Sequence, residues 1–288
     1  MPHPDVPPCY LCGSTRTQLI VANPEYSYVH CTDCGYRRKD QLPSAAEEER
    51  LYEDDYYIDR GLVVGLQSQS ALLRGLIEGR ARTLTELNGG PGMLLDVGAG
   101  TGLFMEAALN AGWKAKGLDT SAAAVDIARR ITRAEVIRGG IDDVPLDAGF
   151  DAITLWDVLE HLPDPRASLV RIRELLGRGG LVGISLPNVA GLKARVLGTR
   201  WRYYRRQVGH ISHFSPKTLA VILRQAGFTP LRIKSAGLLN LGKPFGLSPE
   251  AVKERHRALT TLQEIVDVAP GAFDMGENLV AFARYQTP

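Results

Sequence analysis

Met93-Leu94-Leu95-Asp96-Val97-Gly98-Ala99-Gly100-Thr101-Gly102 is the stretch that decides the fold of this 288-residue chain. A short apolar run, closed by an acid and followed by glycines at alternate positions, reads as a buried strand entering a tight turn. A helix follows from Leu103 to about Asn110. Working outward, the same pattern repeats. Trp113 to Leu118 is a second strand ending in Asp119, and Ser121 opens a helix to about Ile131. Ala134 to Arg138 is a third strand, Phe150 to Trp156 a fourth, Pro165 to Leu176 a helix and Leu181 to Leu186 a fifth strand. Strands alternating with helices predict an α/β domain, Rossmann-like, with a mostly parallel sheet and helices on both faces. A Gly-rich strand-to-helix turn with an acid ending the next strand is the nucleotide-site arrangement of such sheets.

Upstream, Asn88-Gly89-Gly90-Pro91-Gly92 breaks an amphipathic helix expected from Leu62 to about Leu87. Before it lie an acidic connector, Ala45 to Arg50, and the aromatic and acidic segment Tyr52 to Tyr57. The four cysteines all fall in the first 34 residues, as Cys9-Tyr10-Leu11-Cys12 and Cys31-Thr32-Asp33-Cys34, with eighteen residues between the pairs. Two such knuckles match a zinc ribbon, whose thiolates close a tetrahedral and therefore structural site; four reduced, unliganded cysteines are the alternative. Gly13 and Gly35 follow the second cysteine of each knuckle, where a tight turn is needed. Gln18 to Val21 and Tyr26 to His30 read as a hairpin between the knuckles. The expected organisation is a zinc ribbon over 1–42, a helical linker or lid over 43–90 and a ligand-binding domain over 91–288, with an insert at about 188–213.

A composition of 44% hydrophobic and 23% charged residues is that of a globular protein, and a net charge of +2 marks no general polyanion binder. No apolar run approaches the roughly 20 residues that span a bilayer. Without a basic-then-apolar N-terminal pattern, and with paired thiols suited to metal, the expected location is cytoplasmic, with no membrane partner.

The glycine spacing is G-x-G-x-G and not the dinucleotide G-x-G-x-x-G, and Asp96 stands two residues before the first glycine. A carboxylate there would repel a pyrophosphate but suits the ammonium and sulfonium charges of S-adenosylmethionine. Asp119, twenty-three positions on, is placed to accept from both ribose hydroxyls. Leu95 to Gly102 resembles the first motif of the class I S-adenosylmethionine-dependent methyltransferases. Phe150 to Ile153 and Asp157-Val158-Leu159-Glu160-His161-Leu162-Pro163-Asp164-Pro165 resemble their fourth. The resemblance runs from about Leu94 to Arg284. It implies that Asp96, Gly98, Ala99, Gly100, Thr101, Gly102 and Phe104 surround the methionine part, and that Asp119 and Thr120 hold the ribose. It further implies that Ile141 and Asp142 border the adenine and that Trp156 and Asp157 form the pocket floor. Many relatives carry Gly-Asp where this chain has Gly139-Gly140, which leaves Asp142 as the adenine carboxylate or leaves none. The family also has seven strands with the last one reversed. Gly227 to Lys234 and Glu277 to Arg284 read as the sixth and seventh, with a helix from Pro249 to about Val268 between them.

Methyl transfer needs positioning first and a base where the acceptor carries a proton. Glu160-His161 resembles the Glu-His pair of ubiquinone-pathway O-methyltransferases, or serves only to orient the loop before Asp164-Pro165, a good cap and first-turn pair. The insert from Asn188 to His213 holds Lys193, Arg195, Arg200, Arg202, Arg205 and Arg206 among Trp201, Tyr203 and Tyr204, and no acid. Such a segment can grip single-stranded RNA, close over a small anionic acceptor, or be a solvated basic face. His210 and His213, just before Ser215-Pro216, are the expected bases, with His161 and Tyr57 further candidates; bonded structural histidines are the alternative. Tyr56 would close over the cofactor beside Tyr57, or both would merely pack.

The segment Gly198 to Phe228, with paired tyrosines and a four-cysteine ribbon upstream, resembles a bacterial subgroup similar to sugar and secondary-metabolite methyltransferases. The expectations are therefore a small-metabolite O- or C-methyltransferase with structural zinc, an RNA methyltransferase using ribbon and insert, or a non-catalytic binder of the same cofactor.

Overall fold

The computed structural model describes residues 7–22, 26–42, 71–146, 149–205, 209–236 and 275–286. The acidic connector, Tyr56 and Tyr57, the start of the helix expected from Leu62 and the helix expected over Pro249–Val268 lie outside these residues.

A seven-stranded sheet forms the body. Its strands are β4 (Met93–Val97), β5 (Lys114–Asp119), β6 (Val136–Arg138), β7 (Phe150–Trp156), β8 (Leu176–Pro187), β10 (Phe228–Ala236) and β11 (Asn278–Tyr285). The order is β10-β11-β8-β7-β4-β5-β6, parallel from β8 through β6, with β11 antiparallel to both its neighbours. Chain order reverses at β4, which lies between β5 and β7, and a crevice at such a switch point is where open α/β sheets bind ligands.

Side-chain alternation along β4 assigns its two faces. Leu95 and Val97 join one buried cluster with Leu169, Ile172, Leu219 and Ile222, whereas Leu94 joins another with Leu84, Met105, Ala108 and Val125. The second face is covered by α1 (Ala71–Asn88), α2 (Leu103–Asn110) and α3 (Ala122–Thr132), the first by α4 (Pro165–Leu175) and α7 (Pro216–Gln225). The helix starts follow their sequence signals. Ser121 accepts from the Ala124 amide, Asp164 from those of Arg166 and Ala167, and Ser215 from that of Thr218, the last two followed by proline. At the end of α1, the amides of Gly89 and Gly90 donate to the carbonyls of Glu86 and Thr85. None of the described helices is long and apolar enough to cross a membrane.

The N-terminal segment is more than the hairpin read from the sequence. β1 (Thr17–Ala22) and β2 (Ser27–Cys31) pair as expected, but a third strand β3 (Arg37–Lys39) follows and pairs with β9 (Ser212–His213) from the insert. The resulting four-stranded sheet, β1-β2-β3-β9, joins residues almost two hundred positions apart. β3 is three cations in a row, with no apolar alternation to betray a strand. Arg38 and Lys39 are nonetheless buried, their charged heads lying 4.7 Å and 4.6 Å from the ring centres of Tyr10 and Tyr26.

The insert is not wholly a solvated basic face. It contains the short helices α5 (Leu192–Leu197) and α6 (Arg202–Arg205), and its rings turn inward. Trp201, Tyr203 and Tyr204 pack with Val21, Tyr28, Val189 and Ala194 in a separate core under the N-terminal sheet.

Candidate active site

Strand alternation aims Asp96, Thr154 and Trp156 at the face shared with α1. Asp96 and Thr154 are register partners on β4 and β7, and the Thr154 hydroxyl donates to the Asp96 carboxylate at 2.7 Å. Burial pushes the Asp96 carboxyl up to about 7; the Thr154 bond and the Arg80 charge oppose this, and Asp119 adds to it. Arg80, on α1, was not anticipated from the sequence. Its guanidinium lies 4.7 Å from the Trp156 ring centre and faces Asp157 and Asp96, while burial lowers its affinity for the proton. A lone arginine in an amphipathic helix carries no motif, so only the packing of α1 against the sheet identifies it.

Asp119, ending β5, accepts from the Gly100 amide at 2.8 Å and the Ser121 amide at 2.9 Å. These bonds lock the glycine turn to the next strand. The turn itself requires its glycines. Gly98 has φ 67°, and a Cβ there would stand 2.4 Å from a Val158 methyl. Gly102, at φ 85° on the start of α2, would meet the Ala128 Cα at 3.2 Å. Phe104 and Trp156 pack with ring centres 4.9 Å apart, Ala99 and Thr101 are buried, and Thr120 is exposed. Asp157 holds a left-handed backbone at φ 59° at the end of β7, and burial raises its carboxyl above the usual range. Ile141 and Asp142 lie on a short 3-10 turn. Asp142 points outward, 3.8 Å from Arg171, and it is Asp143 that accepts the Gly140 amide at 2.7 Å.

Beyond β7 a second group of ionisable side chains assembles. Glu160 and His161 form one 3-10 turn, and His210 arrives from the insert. The His161 and His210 rings meet edge to face at 4.5 Å, and His210 Nε2 lies 4.0 Å from Glu160 Oε1. His161 Nδ1 is 3.0 Å from the Gly209 carbonyl, and Tyr203 stacks on His210 at 5.2 Å. Burial, reinforced by Asp157, raises the Glu160 carboxyl well above its ordinary range. Neither carboxylate oxygen of Glu160 has a hydrogen-bond partner among the described residues. A fully buried, unpartnered carboxyl is open to a bound molecule or an ordered water. In the sequence Glu160 is legible as half of a Glu-His pair with His161; its placement beside His210, fifty positions away, has no local signal.

The two expected bases occupy different settings. His210 is in this cluster, 4% exposed rather than at an open mouth. His213 is enclosed by Tyr28, Tyr204 and Trp201, with ring centres 5.0, 4.9 and 5.4 Å away. Burial and the charge of Arg37 lower its pKa to about 3, so it stays neutral and is a poor proton acceptor near neutrality.

The four cysteines are free thiols brought into one cluster, their sulfurs all within 4.8 Å of one another. Cys9 and Cys34 sulfurs are 3.6 Å apart and those of Cys12 and Cys31 3.5 Å. Tetrahedral zinc thiolates place sulfurs about 3.8 Å apart, whereas a disulfide needs about 2 Å. The donor set fits a closed zinc site. Gly13 and Gly35, at φ 71° and 80°, donate back to the Cys9 and Cys31 carbonyls and shape both knuckles.

A family model described as a methyltransferase domain matches residues 68–233, more than half of the chain. Among curated proteins, a ubiquinone biosynthesis O-methyltransferase of Paraburkholderia phymatum is 28% identical over 171 residues, covering 54% of this chain and 73% of the relative. The protein of the same name from Bordetella avium is 31% identical over 149 residues, 48% of this chain and 62% of its own length. Among solved structures, the 1,6-didemethyltoxoflavin-N1-methyltransferase of Burkholderia thailandensis superposes with a TM-score of 0.56 at 18% identity, over 94% of this chain and all of that one. A SAM-dependent methyltransferase of Archaeoglobus fulgidus gives 0.54 at 19% identity, over 80% of this chain and all of its own.

Proposed function

This chain belongs to the methyltransferase-domain family, and from that premise we propose that it transfers the methyl group of S-adenosylmethionine to an oxygen or carbon of a small metabolite. The observation that carries the proposal is Asp96, a buried carboxylate at the switch point of the sheet, two residues before a turn that tolerates no Cβ at Gly98. A pyrophosphate would be repelled there; a sulfonium and an ammonium are attracted, and either would hold Asp96 ionised.

In this reading Asp119 accepts from the ribose, Phe104 and Trp156 wall the pocket, and Arg80 offers its guanidinium to the methionine carboxylate. Ile141 borders the adenine, and the exposed Asp142 is available to its amino group. The bound cofactor supplies an already activated methyl carbon. What remains for the protein is to orient the acceptor, exclude water and take one proton from it. Glu160 with His210 suits that last task by position, the carboxyl and the imidazole Nε2 standing 4.0 Å apart so that a proton taken from the acceptor has two groups to share it. The four thiolates would hold zinc in a structural role, with no coordination position left for chemistry.

A small acceptor is favoured over RNA because the insert's rings are enclosed. Trp201 is 1% exposed and Tyr204 1%, which leaves them unable to stack on splayed bases. An anionic handle on the acceptor would meet Arg37, Arg195 and Lys217, which line one groove beside the second knuckle. The test is methyl transfer from labelled donor to a panel of hydroxylated and carbon-acid metabolites, with Glu160→Gln alongside. Turnover is expected to fall by about 10²- to 10⁴-fold in the variant with donor affinity retained. Unchanged turnover would remove Glu160 from the chemistry, and transfer only to RNA would overturn the choice of acceptor.

A further inference from the structure

We infer that the N-terminal cysteine module is part of the acceptor side of this enzyme, with Tyr28 as the positioning residue that sets His210 against Glu160. The inference rests on the acid–base reading above. Its physical basis is a continuous chain of hydrogen bonds. Ile211, the residue after His210, is held from two directions: its amide donates to the Glu160 carbonyl at 2.8 Å, and its carbonyl accepts from the Lys39 amide at 2.8 Å. One residue thus bridges the turn that carries Glu160 and the N-terminal sheet. On its N-terminal side the Tyr28 hydroxyl donates to the His210 carbonyl at 2.6 Å. On its C-terminal side the Tyr36 hydroxyl meets Ser212 Oγ at 2.6 Å, and Ser212 and His213 pair with Arg38 and Arg37.

Tyr28 is fully buried in β2, the strand that ends in Cys31. The knuckle therefore fixes the strand, the strand fixes the phenol, and the phenol fixes the backbone of His210. The same ring lies 5.0 Å from His213 and 5.1 Å from Tyr204, so it also supports the wall behind the insert. Phenylalanine at position 28 would keep that ring and remove one donor. It would leave the His210 carbonyl without this bond, a loss of the size that loosens the segment while its other bonds persist. A purely space-filling tyrosine would not depend on its hydroxyl.

The test uses full-length, zinc-loaded protein carrying Tyr28→Phe, with Tyr36→Phe as the second variant and Gln18→Ala, exposed on β1, as the control. In Tyr28→Phe the imidazole resonances of His210 and His161 are expected to shift, and the amides of Ile211 to His213 to exchange roughly tenfold faster. Turnover should fall by a similar factor while the KM for the methyl donor stays put. Tyr36→Phe should reproduce the exchange effect at Ser212, and Gln18→Ala should change none of these. Unaltered histidine resonances and amide exchange in both tyrosine variants would overturn the inference, as would a loss seen only in donor KM. The resonance and exchange measurements need no acceptor. If they change as expected while no acceptor is ever methylated, the positioning stands and the enzymatic reading fails.

Discussion

Asp96 joins two demands that pull in opposite directions. Folding wants the buried carboxyl neutral, which is why its pKa is pushed up to about 7, while a cationic ligand wants it ionised. Between the ordinary carboxylate range and pH 7, the unfolded chain has released this proton and the folded one retains it. The group's stability contribution is therefore present at low pH and lost as the pH rises through about 7. Without donor, Asp96→Asn is expected to gain in Tm relative to the parent as the pH is raised from 5 to 8, measured by scanning calorimetry. With donor the order reverses, and affinity should fall by about 10- to 100-fold, the scale of one charged hydrogen bond. A parent that pulls ahead of the variant at high pH without ligand would contradict this. At this scale the sequence was most legible where function is local in the chain. Asp96, its glycines and Asp119 are adjacent to strand ends and could be read from spacing. Arg80 and the Glu160–His210 pair depend on contacts between distant segments, which spacing does not encode.

Among the elements, the glycine turn and α2 are the least tolerant of change. Gly102 starts α2 at φ 85°, with α3 pressed against it through Ala128 and Thr132. Gly102→Ala would introduce a Cβ 3.2 Å from backbone that cannot yield and 2.9 Å from a Thr132 methyl, on a dihedral that disfavours side chains. The expected cost is about 1–3 kcal/mol in stability together with at least a tenfold loss of donor affinity, read by thermal unfolding and calorimetric titration. Full affinity in the variant would mean that α2 does not set the pocket. Element boundaries followed the caps closely at Ser121, Asp164 and Ser215, where a side chain satisfies the first amides. They failed for β3 and β9. Three cations and a two-residue strand have no periodicity, and their pairing comes from the partner strands and from the aromatic faces that accept Arg38 and Lys39.

For the whole molecule, two sheets define the architecture: the seven-stranded sheet with its switch point at β4, and the four-stranded sheet that joins the N-terminal strands to the insert through β9. The alternation of strands and helices made the first half of this architecture legible from β4 onward. The pairing of the N-terminal strands with the insert was not legible, because aromatic residues among arginines look the same whether they face solvent or a neighbouring module. Trp201, Tyr203 and Tyr204 face the module. The family match establishes the methyltransferase class, and donor binding is the point on which every assigned residue depends. The most direct test is calorimetric titration of the full-length, zinc-loaded protein with S-adenosylmethionine and S-adenosylhomocysteine, beside Asp119→Ala. Binding in the micromolar range that the variant loses by about tenfold or more is the predicted result. A well-folded protein that binds neither ligand would contradict the account at its centre, and equal binding by Asp119→Ala would show that the pocket lies elsewhere than at the ends of β4 and β5.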